Sequence, residues 1–250
     1  MRKITRFFAF CLFVFSTISC SSTKLLQKSL NYYKTPLGYQ LDSRVSLYPK
    51  TDSLAIIYNG INLDMATVSK KGVKVFPFLF VNYFESKFLV KLGWNYLEQN
   101  YNDFFFDSML DESKRSGSYA LRYDKTPNDS AYTLEITMDT CVTTAKYRQS
   151  TVFLYFIWAY STSYSEEGFP AKTSLGCTAS LRKGEKIFYK KYYTFNKELP
   201  FINNGENGTD GLRANLTVNM VDALSLCTKQ IIESIVNDVN SSIGKSNFKQ

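Results

Sequence analysis

The sequence predicts an α+β two-layer sandwich, a mainly antiparallel sheet with two helices on one face. Short apolar stretches rich in β-branched and aromatic residues follow one another from about Leu54 to Phe195, and a long amphipathic helical pattern closes the chain. Aromatic residues reinforce the strand bias: 20 Phe, 18 Tyr and 2 Trp make up 16% of the chain. With 250 residues, 44% hydrophobic and 21% charged, the chain suits a globular fold with a real core and excludes a disordered one. No internal repeat and no second compositional regime appears. The organisation reads as a signal over 1–19, a lipidated tether over 20–50 and one domain over 51–243.

The first element is an address. Arg2, Lys3 and Arg6 form a basic head, and Phe7 to Phe15 is an apolar run too short to span a bilayer. Ser16-Thr17-Ile18-Ser19 then leads to Cys20. This segment resembles a bacterial lipoprotein signal of the Bacteroidetes type, which implies cleavage before Cys20 and acylation of its thiol. Thr17 and Ser19 depart from the commonest lipobox, which carries Leu and then Gly or Ala at those places. No Asp and no acidic cluster follows Cys20 in Ser21-Ser22-Thr23-Lys24. By analogy with known lipoproteins, both absences imply an outer-membrane anchor with the domain facing the periplasm. Cleavage would take three positive charges and no acid, so the formal +8 falls to about +5. That balance fits anionic lipid neighbours, and an exported chain argues against nucleic acid as a partner.

Residues 21 to about 50 lack periodicity and read as the tether. Ser53 to Tyr58 reads as a strand ended by Asn59-Gly60, and Val73–Phe84 and Phe88–Leu92 as further strands, with Pro77 marking an edge or a bulge. Leu97, Tyr101, Phe104, Phe105, Ser108 and Met109 recur at helical spacing between about Tyr96 and Arg115, and Gly117 stands where a left-handed cap belongs. Strands are expected over Tyr132–Met138 and Thr151–Tyr160, and the run Phe153–Tyr160 reads as a central buried strand. Ala171–Leu181 and Glu185–Phe195 read as a hairpin turning at Lys183-Gly184. Leu199–Gly211 is loop. The closing helix carries Leu216, Met220, Ala223, Leu224, Cys227, Ile231, Ile235 and Val239 on one stripe, with Asn219, Asp222, Ser225, Lys229 and Glu233 expected opposite.

A second resemblance rests on Ser108-Met109-Leu110 running into Arg115-Ser116-Gly117-Ser118-Tyr119, followed by the strand Tyr132-Thr133-Leu134-Glu135-Ile136. With the closing helix, this pattern resembles the auxiliary lipoproteins of ABC-type envelope transporters, and more distantly the TolB amino-terminal domain and the curli-secretion lipoprotein. The resemblance implies a transport or assembly auxiliary with a protein partner in the envelope.

The chemistry available is narrow. The chain has no histidine, which removes Ser-His and Cys-His nucleophiles, His-ligated metals and the usual general base. No cofactor motif occurs. Ser180-Leu181-Arg182-Lys183 matches S-x-x-K without an S-D-N partner, and Gly244-Lys245-Ser246 follows Val239 where a P-loop needs glycine. Asp103, Asp107 and Asp111 line one helix face at i, i+4, i+8 and read as solvated. Cys141 and Cys177 are candidates for a disulfide. The candidate surface site is the hairpin ribbon of Arg182, Lys183, Lys186, Lys190 and Lys191 interleaved with Tyr189 and Tyr193, suited to anionic head groups. The competing reading is an edge hairpin whose lysines block aggregation. Asp52-Ser53-Leu54 and Asp129-Ser130-Ala131 resemble the O-glycosylation sites of Bacteroidetes exported proteins. The expectation is a non-catalytic, lipid-anchored accessory or binding module, with a surface-exposed structural or adhesive lipoprotein as the alternative.

Overall fold

The computed structural model describes residues 23–41, 52–77, 80–117, 119–123, 132–155, 159–202 and 208–247. Seven strands form a single sheet: β1 (Asp52–Asn59), β2 (Thr67–Pro77), β3 (Val81–Lys91), β4 (Tyr119–Tyr123), β5 (Tyr132–Tyr155), β6 (Tyr160–Lys183) and β7 (Lys186–Leu199). Among the described residues three α-helices accompany it: α1 over residues 23–30, α2 (Tyr101–Ser116) and α3 (Thr209–Asn247). The sheet is mainly antiparallel. Only β1 runs parallel to its neighbours, β4 and β5.

β5 and β6 organise everything else. Each is 24 residues long, and the sequence reading of two separate strands between Tyr132 and Tyr160 is corrected to one continuous β5 that returns through β6. Register shifts at Met138/Thr140 and Ala145/Tyr147 bend the pair, as bulges do. β5 shows β6 one edge along its whole length. Its other edge is shared, with β1 taking Tyr132–Thr137 and β3 taking Thr144–Leu154. The sheet therefore has two ends: β4-β1-β5-β6-β7 at one, and a four-stranded tongue of β2-β3-β5-β6 at the other. The β6–β7 hairpin turns where expected, with Gly184 at φ 56, a left-handed backbone that glycine reaches without strain. β2 and β3 pair antiparallel, so the boundary read at Phe84–Phe88 shifts to between Pro77 and Val81; Pro77 ends an edge strand, as its missing N–H demands.

On β6, Ala171, Thr173, Leu175, Cys177, Ala179 and Leu181 are buried while most alternate residues are partly exposed. α3, about 58 Å long at helical rise, packs against β5, β6 and β7, and α2 packs against α3 and β4. The predicted stripe from Leu216 to Val239 is fully buried. Its expected polar face is only half right. Asn219 and Ser225 are buried because each bonds a neighbouring segment: Ala171 N donates to Asn219 Oδ1 at 3.2 Å, and Gly38 N to Ser225 Oγ at 3.1 Å. Asn219 also donates to the Pro200 carbonyl at 2.7 Å.

The tether reading of 20–50 is corrected over 23–41. Leu26, Leu30 and Leu37 are core residues, and Gln27 donates to the Ala66 carbonyl at 3.0 Å, because an i, i+4 leucine pair gives this short helix a face to bury. α2 starts at Tyr101, capped by Asn100, whose side chain accepts from Asn102 N at 2.8 Å; Trp94–Tyr96 before it is a separate 3-10 turn. Gly117 is extended (φ −78, ψ 138), not left-handed, because the chain leaves the helix directly into β4.

Candidate functional site

The basic ribbon lies on β6 and β7, but the pleat divides it. Ser180 faces Lys190 and Ala179 faces Lys191, so the two lysines stand on opposite sides of the sheet. Lys191 turns to α3 and pairs with Asp238 at 2.7 Å, where Tyr193 donates at 2.8 Å and Tyr189 at 3.2 Å. Burial works against the Asp238 charge, but the bonds from Lys191 and Tyr193 and the Lys191 charge hold its carboxyl below the usual range. Tyr189 is pushed up to about 12, chiefly by burial. Lys183 sits 5.0 Å from the Tyr132 ring centre and Lys186 4.9 Å from that of Phe188, two cation–π contacts whose rings meet edge to face. Arg182 lies 3.9 Å from Glu135, and Lys190 is exposed. The aromatics thus serve the sheet and its helix while four of the five cations already have protein neighbours.

A second cluster ties α3 to the sheet at the far end. Glu166 on β6 accepts from Gln149 at 3.0 Å and from Tyr147 and Tyr164, and Arg213 in the first turn of α3 clamps it at 2.5 and 3.2 Å. With 2% of the Glu166 side chain and 17% of Arg213 accessible, this is a saturated buried ion pair rather than a reactive carboxylate. Sequence reading missed it because the partners are spread from residue 147 to 213. Burial raises the Tyr147 hydroxyl well above its ordinary value, and the bond to Glu166 adds to that.

Asp103, Asp107 and Asp111 are exposed on α2 and line an open groove of about 310 Å³ with Tyr39, Leu41 and Gln99. Asp111 pairs with Lys114 at 2.9 Å. Cys141 and Cys177 lie on neighbouring strands but both are free, and the disulfide reading is corrected: their registered partners are Leu175 and Met138, not each other. Burial pushes each thiol up to about 12. Ser180–Lys183 runs along β6 into the turn, without the helix start that an S-x-x-K nucleophile needs. Ser53 is exposed on β1, whereas Asp129-Ser130-Ala131 and Cys20 lie outside the described residues.

The remaining surface feature is the tongue. The Phe153–Tyr160 run was read as a central buried strand. Phe153 and Leu154 are instead only partly buried and Tyr160 is 79% accessible; Phe156–Trp158 lie outside the described residues. Beside it, Phe76 and Phe80 are 54% and 56% accessible. A mainly antiparallel sheet with a long helix packed against β5, β6 and β7 defines an α+β class. No family model matches the chain, and no curated protein matches it. Among solved structures it is similar to the crystal structure of protein XCC0632 from Xanthomonas campestris, which is assigned to the family model DUF330, at 11% identity and a TM-score of 0.43, covering 86% of this chain and 99% of that one.

Proposed function

We propose that this protein is a lipid-anchored, non-catalytic accessory module of the bacterial envelope, held on Cys20 at the outer membrane, facing the periplasm and engaging a protein partner there. The finer architecture belongs to the same reading: a two-layer sandwich with α2 and α3 on one face, supported by the alternating burial along β6. The observation that carries the proposal is the docking of 23–41. Leu26, only six residues after Cys20, is already part of the core, so an acyl anchor on Cys20 would hold the folded domain close against the bilayer. Two or more acyl chains make such anchoring effectively stable. The ionisable clusters support a binding role in turn, since Glu166 and Asp238 are consumed in fastening α3 to the sheet.

The decisive experiment is fractionation of a Cys20→Ala chain together with crosslinked pull-down of the parent from envelopes. The substitution is expected to leave the domain folded and either release it from membranes or block processing of the signal, and the pull-down to recover transport or assembly components. Fractionation of Cys20→Ala with the outer membrane like the parent would overturn the anchor. Shaving of the domain by protease added to whole cells, with no envelope component recovered, would favour the surface-exposed structural or adhesive alternative.

A further inference from the structure

The described residues of the tongue are uncharged on both faces, with aromatic and aliphatic side chains on each, and charge stops at one level across it. No charged residue occurs between Lys74 and Glu85, nor between Arg148 and Glu166. The register aligns these limits: Lys74 faces Glu85, Glu85 faces Ser150, and Ser150 faces Ser165, next to Glu166. Beyond that row, four strands continue, with no buried residue among the described ones. From Thr151 to Tyr155 the uncharged end extends about 13 Å before its connecting residues.

Alternation assigns the faces. Val75, Phe84 and Phe153 stand on the side that carries Glu166, with Phe84 and Phe153 edge to face at 5.6 Å. Phe76, Val81, Val152 and Leu154 stand on the other, where Phe76 meets Tyr83 at 6.1 Å. Around them lie hydroxyls and phenols, Ser161, Thr162, Ser163 and Tyr164 on β6 and Tyr83 on β3, groups suited to the wet side of an interface. Ions are absent and aromatic rings abundant.

From this we infer that the tongue is a second membrane contact, a tip that inserts into the interfacial layer of a lipid bilayer. A protein partner seated on one face would leave the other face apolar and wet, whereas an acyl boundary covers the tip and both faces together. Depth is limited by backbone chemistry. Among the described residues β2 pairs only with β3, and β6 from Tyr160 to Pro170 pairs only with β5, so both outer edges present backbone groups outside the ladder that bar passage into the hydrocarbon core. The contact is therefore shallow, as for other elements whose apolar face enters the headgroup boundary. It is driven by burial rather than charge, because the cationic ribbon lies at the other end of β6. The inference stands without the Cys20 anchor and is tested without it.

The test is flotation of the full chain carrying Cys20→Ala with phosphatidylcholine vesicles. Binding is expected without anionic lipid and unchanged by high salt. Phe76→Asp combined with Phe80→Asp should lower the bound fraction by about tenfold or more, since charged groups resist transfer into apolar surroundings. Phe80→Ser, a milder change at an exposed site, should give a smaller loss with the thermal midpoint unmoved. Replacing Arg182, Lys183, Lys186, Lys190 and Lys191 with alanine should leave flotation intact. Equal flotation of the Asp pair and its parent, no flotation of the parent, or binding only to phosphatidylglycerol vesicles would each overturn the inference. So would a parent that is dimeric by light scattering and becomes monomeric with the Asp pair, which would make the tongue a contact between copies.

Discussion

Glu166 shows how a single side chain governs this domain. It is almost inaccessible, and its four partners come from β5, β6 and α3. Removing Arg213 leaves a buried carboxylate without its counter-charge, so Arg213→Ala should destabilise by about 3–5 kcal/mol in urea unfolding. Adding Glu166→Gln to that variant should recover part of the loss, because the stranded charge is gone; no recovery would mean that Arg213 acts through packing alone. The thiols give a second expectation at this scale. With Cys141 and Cys177 raised to about 12 by burial, neither should react with a thiol reagent at mild alkaline pH until the chain unfolds, and reductant should leave the thermal midpoint unchanged.

At the scale of elements, the joints are tighter than the strands they connect. A Cβ on Gly93 would come within 2.0 Å of Ala66 N, a backbone neighbour that cannot rotate away. Gly93→Ala should therefore cost about 1–3 kcal/mol, read as a lowered urea midpoint. Leu30, on the short helix α1, is fully buried, and Leu30→Ala should cost about 2–5 kcal/mol if 23–41 belongs to the folded unit. A loss near zero would restore the tether reading. Elements whose signal is local were legible in the sequence: the stripe on α3, the Gly184 turn and the core of α2. Elements defined by partners were not. Nothing in Thr140–Gln149 says that two strands are one, because its alternating polar and apolar residues are satisfied only by β3 and β6 on either side. The same holds for Phe153–Tyr160, whose hydrophobicity matched a buried strand while Tyr160 is exposed, since burial depends on which elements pack against a strand and not on its own letters. Of the ribbon, the residues were legible and their division between two faces was not, since that follows from the β6–β7 register.

For the molecule as a whole, the carboxylates at the joints set the acid limit. Asp238 is held low by Lys191 and Tyr193 against the effect of burial, and Glu85 is held low first by the hydrogen bond from Tyr83. A depressed folded pKa stabilises above the unfolded value and is lost as pH falls through the folded one, so stability should be flat near neutrality and decline below about pH 4. Asp238→Asn should flatten part of that decline in urea midpoints measured against pH. The placement of the two ends has a mechanical consequence. Gln27 bonds beside the start of β2 and the tongue's tip lies at its finish, 11 residues on, a separation of about 33 Å along a hydrogen-bonded hairpin. A chain acylated at one end and greasy at the other is a spacer rather than a foot. Granting both proposals, it would hold two bilayers at a set gap, so the acylated protein should clump vesicles and raise their turbidity, while Cys20→Ala should coat them singly. Lengthening β2, β3, β5 and β6 by two residues each would widen that gap by about 7 Å without turning any side chain to the opposite face.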